Sequence, residues 1–364
     1  MPYLFIVFIL IAQCLLFLVH FAVYELVLVS FLITSTNAIF FLRLGFVVAS
    51  LSFIVASLVA YKNYNLFTQA VYTTAVVWLG FLFYLLLASL IYFIFSALFP
   101  SFGFLPELGK ILMTFAFLAS IFGILNANNL KVIGVTSQLV VPETWTDRKI
   151  VFISDIHVGQ VIGKKFIEKM VGAINEISPD LVLIGGDFFD GTGVDIDSVT
   201  APLKNIKSVF GTYFISGNHE EFETTTKYFD AITSQGIKFL NNEFIDINGL
   251  QLVGVDYKST VGTDNFRKVL TAINYDRNKP TILLKHTPLN LDVAHDLNIN
   301  FQLSGHTHRA QMFPLNLITA LVYKGYDYGF KKYKDMEVYT SSGVGTWGPP
   351  LKVGSPSEIV VITF

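Results

Sequence analysis

The chain has a single cysteine, Cys14, and it lies inside an apolar run. A disulfide framework is therefore excluded, and cysteine usage says nothing about redox compartment. Clustered Lys and Arg are missing too: the net charge is −2 and no basic run or stripe occurs. That argues against a nucleic-acid surface, so no nucleic-acid partner is expected. Charge of either sign is scarce at the N-terminal end. Residues 1–130 hold only Glu25, Arg43, Lys62, Glu107 and Lys110, and one of the seven histidines, His20. The mean hydropathy of +0.57 thus averages two unlike halves. No soluble core explains the apolar half, because a core needs a polar shell within the same segment.

A helix needs about 20 apolar residues to cross the ~30 Å hydrocarbon layer. Four stretches qualify: Tyr3 to Val23 (extendable to Leu32), Ala38 to Tyr61, Val71 to Phe99 and Leu108 to Leu125. Short polar or breaker segments at Thr34–Asn37, Lys62–Asn65 and Pro100–Gly103 join them, which suits an all-α transmembrane bundle. The first stretch lacks a basic leader and is too long for a signal peptide. Lys and Arg are nearly even on the two sides, so the membrane orientation of the C-terminal domain stays open. Ionisable groups at membrane depth raise transport or proton relay by default. His20, Glu25 and Arg43, however, fall near helix ends, and no Gly- or Pro-broken helix pair of the transporter kind occurs.

Beyond a connector bracketed by Asn126–Asn129 and Val141–Glu143, the hydropathy changes period. Lys149–Ser154, Leu181–Ile184, Thr212–Ser216 and Thr281–Leu284 read as buried strands, with helices over Gly163–Glu176 and Glu221–Gln235. Phe244–Ile247, Leu250–Val255, Glu337–Thr340 and Ile359–Thr363 read as further strands, more antiparallel in character. The sum is a mixed α/β domain with layered sheets. The domain boundaries expected are 1–128 for the transmembrane part, 129–147 for a linker and 148–364 for the α/β domain.

Each apolar run stops at a polar cluster. These are Ser154-Asp155-Ile156-His157, Gly185-Gly186-Asp187-Phe188-Phe189-Asp190, Gly217-Asn218-His219-Glu220, Lys285-His286-Thr287 and Gly305-His306-Thr307-His308. Loops at the ends of parallel strands converge on one sheet edge, where α/β sites form. An Asp-x-His alone is commonly a turn and a cap, and a Gly-Asp alone is commonly a turn. Five clusters in this order put carboxylates, an amide and imidazoles in one space. Oxygen and nitrogen ligands without a thiolate suit Mn, Fe, Zn or Mg-type ions.

These blocks resemble the calcineurin-like metallophosphoesterase superfamily, with its D-x-H, G-D-x-x-D, G-N-H-[DE], later His and G-H-x-H. The tail Ser342–Pro350 is similar to that of its membrane-associated bacterial phosphodiesterases, and the four-helix leader resembles the layout of transmembrane proteins that carry this domain. The resemblance implies a four-layer α/β sandwich with two mixed β-sheets. It implies two divalent metals about 3.5–4 Å apart, one held by Asp155, His157 and His308, the other by Asn218, His286 and His306, with Asp187 bridging. A hydroxide between them would be the nucleophile, with His219 pointing at the leaving-group oxygen and Asp190 accepting from its imidazole. Glu220, at a helix start, reads as a dipole-favoured residue and not as a catalyst. Arg309 could approach a phosphate oxygen or form a surface ion pair; Lys285 and Asn241-Asn242 carry less weight.

The resemblance and the apolar half together imply a metal-dependent phosphoric ester hydrolase on a multi-pass cell-membrane anchor. The same ligands serve monoesters and diesters, and the resemblance favours diesters; the metal stays open among Mn, Fe, Zn, Co and Ni. The apolar and aromatic segment between Ala310 and Lys334 is either a lid on the domain or an element that dips toward the bilayer. The second reading points to a lipid-linked or cell-envelope substrate. The rival function is a transporter or receptor with a phosphoesterase regulatory domain. Oligomeric state is not legible.

Overall fold

The structure is a computed structural model that describes residues 2–61, 63–221 and 226–364. Lys62 of the polar connector, and residues 222–225 of the helix expected over Glu221–Gln235, lie outside the described residues. The chain divides into two compact units, Met1–Leu125 with Gly348–Leu351 and Asn126–Trp347 with Lys352–Phe364.

The first unit contains α1 (Pro2–Ser30), α2 (Thr36–Ala60), α3 (Leu66–Leu98) and α4 (Leu105–Ala127). The shortest, α4, has 23 residues and at 1.5 Å per residue reaches about 35 Å, enough for the hydrocarbon layer. All four are long and apolar enough to cross a membrane, as the sequence led us to expect. Large apolar side chains such as Phe8, Phe41, Leu58 and Phe115 are exposed, which water would not tolerate at this density. Asn65 starts α3 with a capping box, its side chain accepting from Phe67 and Thr68 while Thr68 returns a bond. His20 is buried, and both its ring nitrogens are engaged: Nδ1 lies 2.8 Å from the Leu16 carbonyl, and Trp78 Nε1 donates to Nε2 at 2.9 Å. This pairing leaves no open imidazole position for a proton relay.

The second unit is built on strands β1 (Leu130–Thr136), β2 (Ile150–Ile153), β3 (Leu181–Ile184), β4 (Thr212–Phe214), β5 (Lys238–Phe239), β6 (Glu243–Ile247), β7 (Leu250–Gly254), β8 (Thr281–Leu284), β9 (Phe301–Ser304), β10 (Gly329–Tyr333), β11 (Met336–Thr340) and β12 (Ser357–Thr363). One sheet has the order β1-β12-β2-β3-β4-β5 and the other β10-β11-β9-β8-β7-β6. Both are mixed. β2, β3, β4 and β5 run parallel, and β12 is antiparallel to β2. β7, β8, β9 and β11 run parallel, with β6 and β10 antiparallel at the two edges. The late strands are thus less uniformly antiparallel than their alternation implied. β1 uses residues of the expected connector and pairs parallel with β12.

Strand alternation explains the layers. Ile150 and Phe152 of β2, with Leu181 and Leu183 of β3, meet Leu252, Ile282 and Leu303 of the other sheet in a shared core. The opposite faces, Val151, Ile153, Val182 and Ile184, pack on helix α5 (Lys164–Ile177). In α5, Ile167, Met170, Val171 and Ile174 recur at helical spacing and are buried. Helices α6 (Ile196–Thr200), α7 (Asn218–Glu221) and α8 (Lys227–Thr233) follow. On the far face of the second sheet, Val253 and Leu283 pack on α9 (Thr263–Ala272) and α10 (Leu291–Asp296). The result is the four-layer α/β/β/α sandwich.

Candidate metal centre

The five polar clusters all leave the C-terminal ends of parallel strands, β2, β3 and β4 from one sheet and β8 and β9 from the other. The chain must turn sharply there. Asp155, His157, Asp187, His306 and His308 all take positive φ, between 49° and 71°. Such left-handed backbone costs a non-glycine residue about 1–2 kcal/mol, and its concentration on ligand-type residues marks a functional site.

Asp155, His157 and His308 form one group whose donor atoms lie within 4.8 Å of one another; Asp187, His286 and His306 form another, and His157, Asp187 and His219 a third. In the first group, His157 Nε2 faces His308 Nε2 at 2.9 Å, and His308 Nε2 is 3.6 Å from Asp155 Oδ1. In the second, His286 Nε2 is 3.2 Å from Asp187 Oδ2 and 3.3 Å from His306 Nδ1, and Asn218 Oδ1 is 2.8 Å from His306 Nδ1. Asp187 Oδ2 also lies 3.8 Å from His157 Nε2, so this carboxylate stands between the groups. Two carboxylates, four imidazoles and an amide, all buried or nearly so, suit borderline divalent ions. The site fits a metal by its donor set. His286 shows how the orientation is held: its Nδ1 donates to the Gly185 carbonyl at 2.8 Å, which leaves Nε2 to face the cluster.

Burial dominates the electrostatics. It pushes His157 and His306 down to about 3, and His308 well below its usual range. It pushes Asp155 up to about 6, with Asp187 adding to the rise. Asp187 and His286 escape because they pair. Burial alone would raise Asp187, but the imidazolium of His286 holds it well below the carboxylate range; burial alone would lower His286, but Asp187 raises it to about 9. The metal-free site therefore holds one ion pair among neutral imidazoles.

Sequence inspection missed the part played by Glu220. Its carboxylate is fully buried and accepts four main-chain N–H groups: Asp187 (2.9 Å), Phe188 (2.8 Å), Phe189 (3.1 Å) and Gly217 (2.8 Å). One side chain thus ties the loop after β3 to the loop after β4. Only its place after Gly-Asn-His could have signalled this. Lys285 and Lys352 are likewise buried. Lys285 donates to Thr287, and Lys352 to the carbonyls of Ser342, Gly343 and Pro356. Lys352 fixes the tail loop, whose Val344 and Gly345 N–H groups in turn hold the carbonyls of Ser154 and Asp155, each at 3.0 Å. Glycine is required where backbones meet ligands: a Cβ on Gly217 would collide with Asp187 Oδ1, and one on Gly305 with Asp155 Oδ2.

His219 and Asp190 lie together, but not as expected. The Asp190 atom facing His219 Nδ1 is its main-chain oxygen, at 3.1 Å. The Asp190 carboxylate instead takes the N–H and hydroxyl of Thr192, both at 2.6 Å, in a side-chain-to-backbone turn. Burial lowers His219, with Asp187 and the Asp190 carbonyl opposing. Arg309 stacks its guanidinium over the Tyr328 ring, 4.6 Å from its centroid. Asn242 is structural, bonded to Asp256 and Ser259. A cavity of about 440 Å³ opens over the cluster, lined by His157, Asp187, Asn218, His219, His306 and His308 with Gln311 and Trp347 at its rim.

The comparisons with known proteins agree with this geometry. The family model described as calcineurin-like phosphoesterase matches residues 148–310. An uncharacterized metallophosphoesterase of Helicobacter pylori is 36% identical over 218 residues, covering 59% of this chain and 59% of that protein, so the chain spans well under two thirds of that relative's length. One from Campylobacter jejuni is 32% identical over 262 residues, 70% of this chain and 68% of the relative. A Bos taurus protein named transmembrane protein with metallophosphoesterase domain is 31% identical over 261 residues, 66% of this chain and 58% of its own length. The Campylobacter jejuni relative, 32% identical and matched over 68% of its own length, and the family model together show that the chain belongs to the calcineurin-like metallophosphoesterase family.

Proposed function

We propose that this chain is a multi-pass cell-membrane phosphohydrolase that uses two divalent metal ions to cleave phosphodiesters, with residues 1–128 as anchor and 148–364 as the catalytic domain. The observation that carries it is the convergence of Asp155, His157, Asp187, Asn218, His286, His306 and His308 from five strand ends into donor groups of metal-binding size. Asp155, His157 and His308 would hold one ion, Asn218, His286 and His306 the other, and Asp187 both. Such a pair supplies Lewis acidity toward the phosphoryl group and lowers the pKa of water.

The chain's own residues do the rest. His219 lines the cavity beside Asn218 and takes no part in the proposed ligand set; its imidazole would face the leaving-group oxygen. The Asp190 carbonyl at Nδ1 favours the tautomer with hydrogen on Nδ1, or the imidazolium, and so orients Nε2. Glu220 keeps the Asp187 and Asn218 loops in register. Arg309, stacked on Tyr328, is a substrate-side cation only if substrate draws it off that ring.

The test is hydrolysis of bis(p-nitrophenyl) phosphate and p-nitrophenyl phosphate by the full chain in detergent, stripped of metal and then given Mn, alongside Asp187→Asn and His219→Ala. Mn-dependent turnover of the diester is expected, with Asp187→Asn losing metal and activity and His219→Ala losing rate while keeping metal. A protein that binds two metals yet turns over neither of these esters, nor a phospholipid diester in a bilayer, would overturn the proposal.

A further inference from the structure

The segment after the last ligand cluster has an unusual surface. Among the described residues of the hydrolase unit, twelve large apolar side chains are exposed, and five of them, Phe313, Leu317, Ile318, Leu321 and Val322, fall within ten consecutive positions. The others occur one at a time along the chain, as on any soluble surface. Leu317, Ile318, Leu321 and Val322 share one face of helix α11 (Asn316–Val322), and Leu321 is 80% exposed. None of the residues from Arg309 to Tyr326 is acidic, and Lys324 closes the segment.

Both flanks of α11 border the metal centre. Ala310 and Gln311 line its cavity. At the other end, the Tyr323 ring stands edge-on to His306 at 6.4 Å. Gln311 also grips Trp347, donating to its carbonyl at 2.8 Å and accepting from its N–H at 2.9 Å. Trp347 is 57% exposed and meets His219 edge-on at 5.8 Å. An apolar helix with an amphipathic aromatic at its foot and a cation at its end is the composition that settles at a lipid interface. Only two residues separate α4, a helix of membrane-spanning length, from β1, so the tether is short.

We propose that the exposed face of α11, with Phe313 and Trp347, seats in the headgroup and upper acyl region of the bilayer, and that the site takes an amphipathic phosphate ester from that bilayer. Lys324 lies at the level of anionic headgroups, which attract it. The ester keeps its acyl part beside α11 and presents its phosphate to the cavity beneath. The surface stands on exposure and charge alone; the substrate class rests on the chain being a phosphohydrolase.

The test uses the full chain in lipid nanodiscs, with Cys14→Ser and a single environment-sensitive nitrobenzoxadiazole label on Leu321→Cys. Quenching by lipids brominated high on the acyl chain, and protection from aqueous iodide, are expected. The same label on Val209→Cys, which precedes β4 at the strand end away from the ligand loops, is expected to behave oppositely. Iodide quenching at position 321 without bromolipid quenching would put α11 in water and overturn the proposal. Protection from both quenchers would mean that another protein covers the helix, and would overturn it too. For the substrate, Leu317→Glu with Leu321→Glu is compared with wild type on a phospholipid diester in the nanodisc and on soluble bis(p-nitrophenyl) phosphate. Turnover of the lipid ester is expected to fall about tenfold or more, as the loss of one buried leucine contact would give, with the soluble ester unchanged. An equal effect on both esters would refute the substrate class. Wild type inactive on both would refute the phosphohydrolase reading and the substrate class with it, while the label still decides the surface.

Discussion

Removing the metals should leave a proton behind on His286, and that proton should govern how the metals return. Among the imidazoles of the proposed ligand set, burial holds His157 and His306 at about 3 and His308 well below its usual range, so these are neutral at any working pH. His286 alone is raised, to about 9, by the Asp187 carboxylate 3.2 Å from its Nε2. A metal needs that nitrogen as a lone pair. pH 7 lies about two units below that pKa, so displacing the proton costs metal binding on the order of 3 kcal/mol, or about a hundredfold in affinity. Affinity at the second group is thus expected to rise about tenfold per pH unit from pH 7 and to level off near pH 9. Below about 6, Asp155 adds a second proton. The sign for the metal-free fold is the reverse. Stabilisation from raised His286 is complete below its unfolded value of about 6.5 and is lost as pH climbs through about 9, whereas that from depressed Asp187 is lost only in acid. Carbon-13 NMR of histidine-labelled, metal-stripped protein reads the titration directly, and Mn titrations at several pH values read the linkage. If no imidazole titrates above about pH 8, and Mn affinity is flat between pH 7 and 9, the ion-pair reasoning is wrong.

Three further outcomes are expected. Glu220→Gln turns an amide NH₂ toward two of the four N–H groups now bonded, a gross cost of about 2–6 kcal/mol at ~1–3 each, partly offset by loss of a buried charge; thermal melting should show a drop of several degrees and metal analysis a lower occupancy, and an unchanged protein would deny Glu220 its role. Gly305→Ala drives a Cβ into Asp155 Oδ2, an overpacking of about 1–3 kcal/mol, so the metal content should fall below that of the wild type, as read by mass spectrometry. Lys285 is pulled down to about 7 by burial, so the unfolded chain binds its proton more readily and stability rises with pH from about 7 to 10.5; Lys285→Met should flatten that rise in melting curves, and a rise of the same slope would refute the assignment.

The chemistry was legible because it is written at strand ends. Leu181–Ile184 and Thr281–Leu284 occupy the expected strands residue for residue, and the polar block after each supplies a ligand-type side chain, since a short buried strand leaves its next residues at the sheet edge. The four apolar helices were legible for the simpler reason that length and hydropathy suffice to define a span. Other features were not. β1 lies in a stretch that reads as connector, because its burial alternates weakly and its partner β12 is the last strand of the chain. Asp190 sits three residues past Asp187 as anticipated, yet Thr192 takes its carboxylate, and a local turn of that kind leaves no periodic trace. The segment that holds α11 reads in sequence as a lid or as an element dipping toward the bilayer, and only the fold shows which of its apolar side chains are exposed.

Local hydropathy, and the residues that adjoin strand ends, are thus enough to specify the membrane-length helices, the layered α/β class and the identity of the side chains that gather. Which of those side chains pair, which are neutral and which loop holds which came only with the folded arrangement. Asp187 meets His286 from the other sheet, Glu220 binds the backbone of a loop some thirty residues away, and Trp347 reaches His219 across the cavity. Burial and through-space charge, which set every protonation state in the site, are properties of distances between segments, and no single stretch of chain contains them.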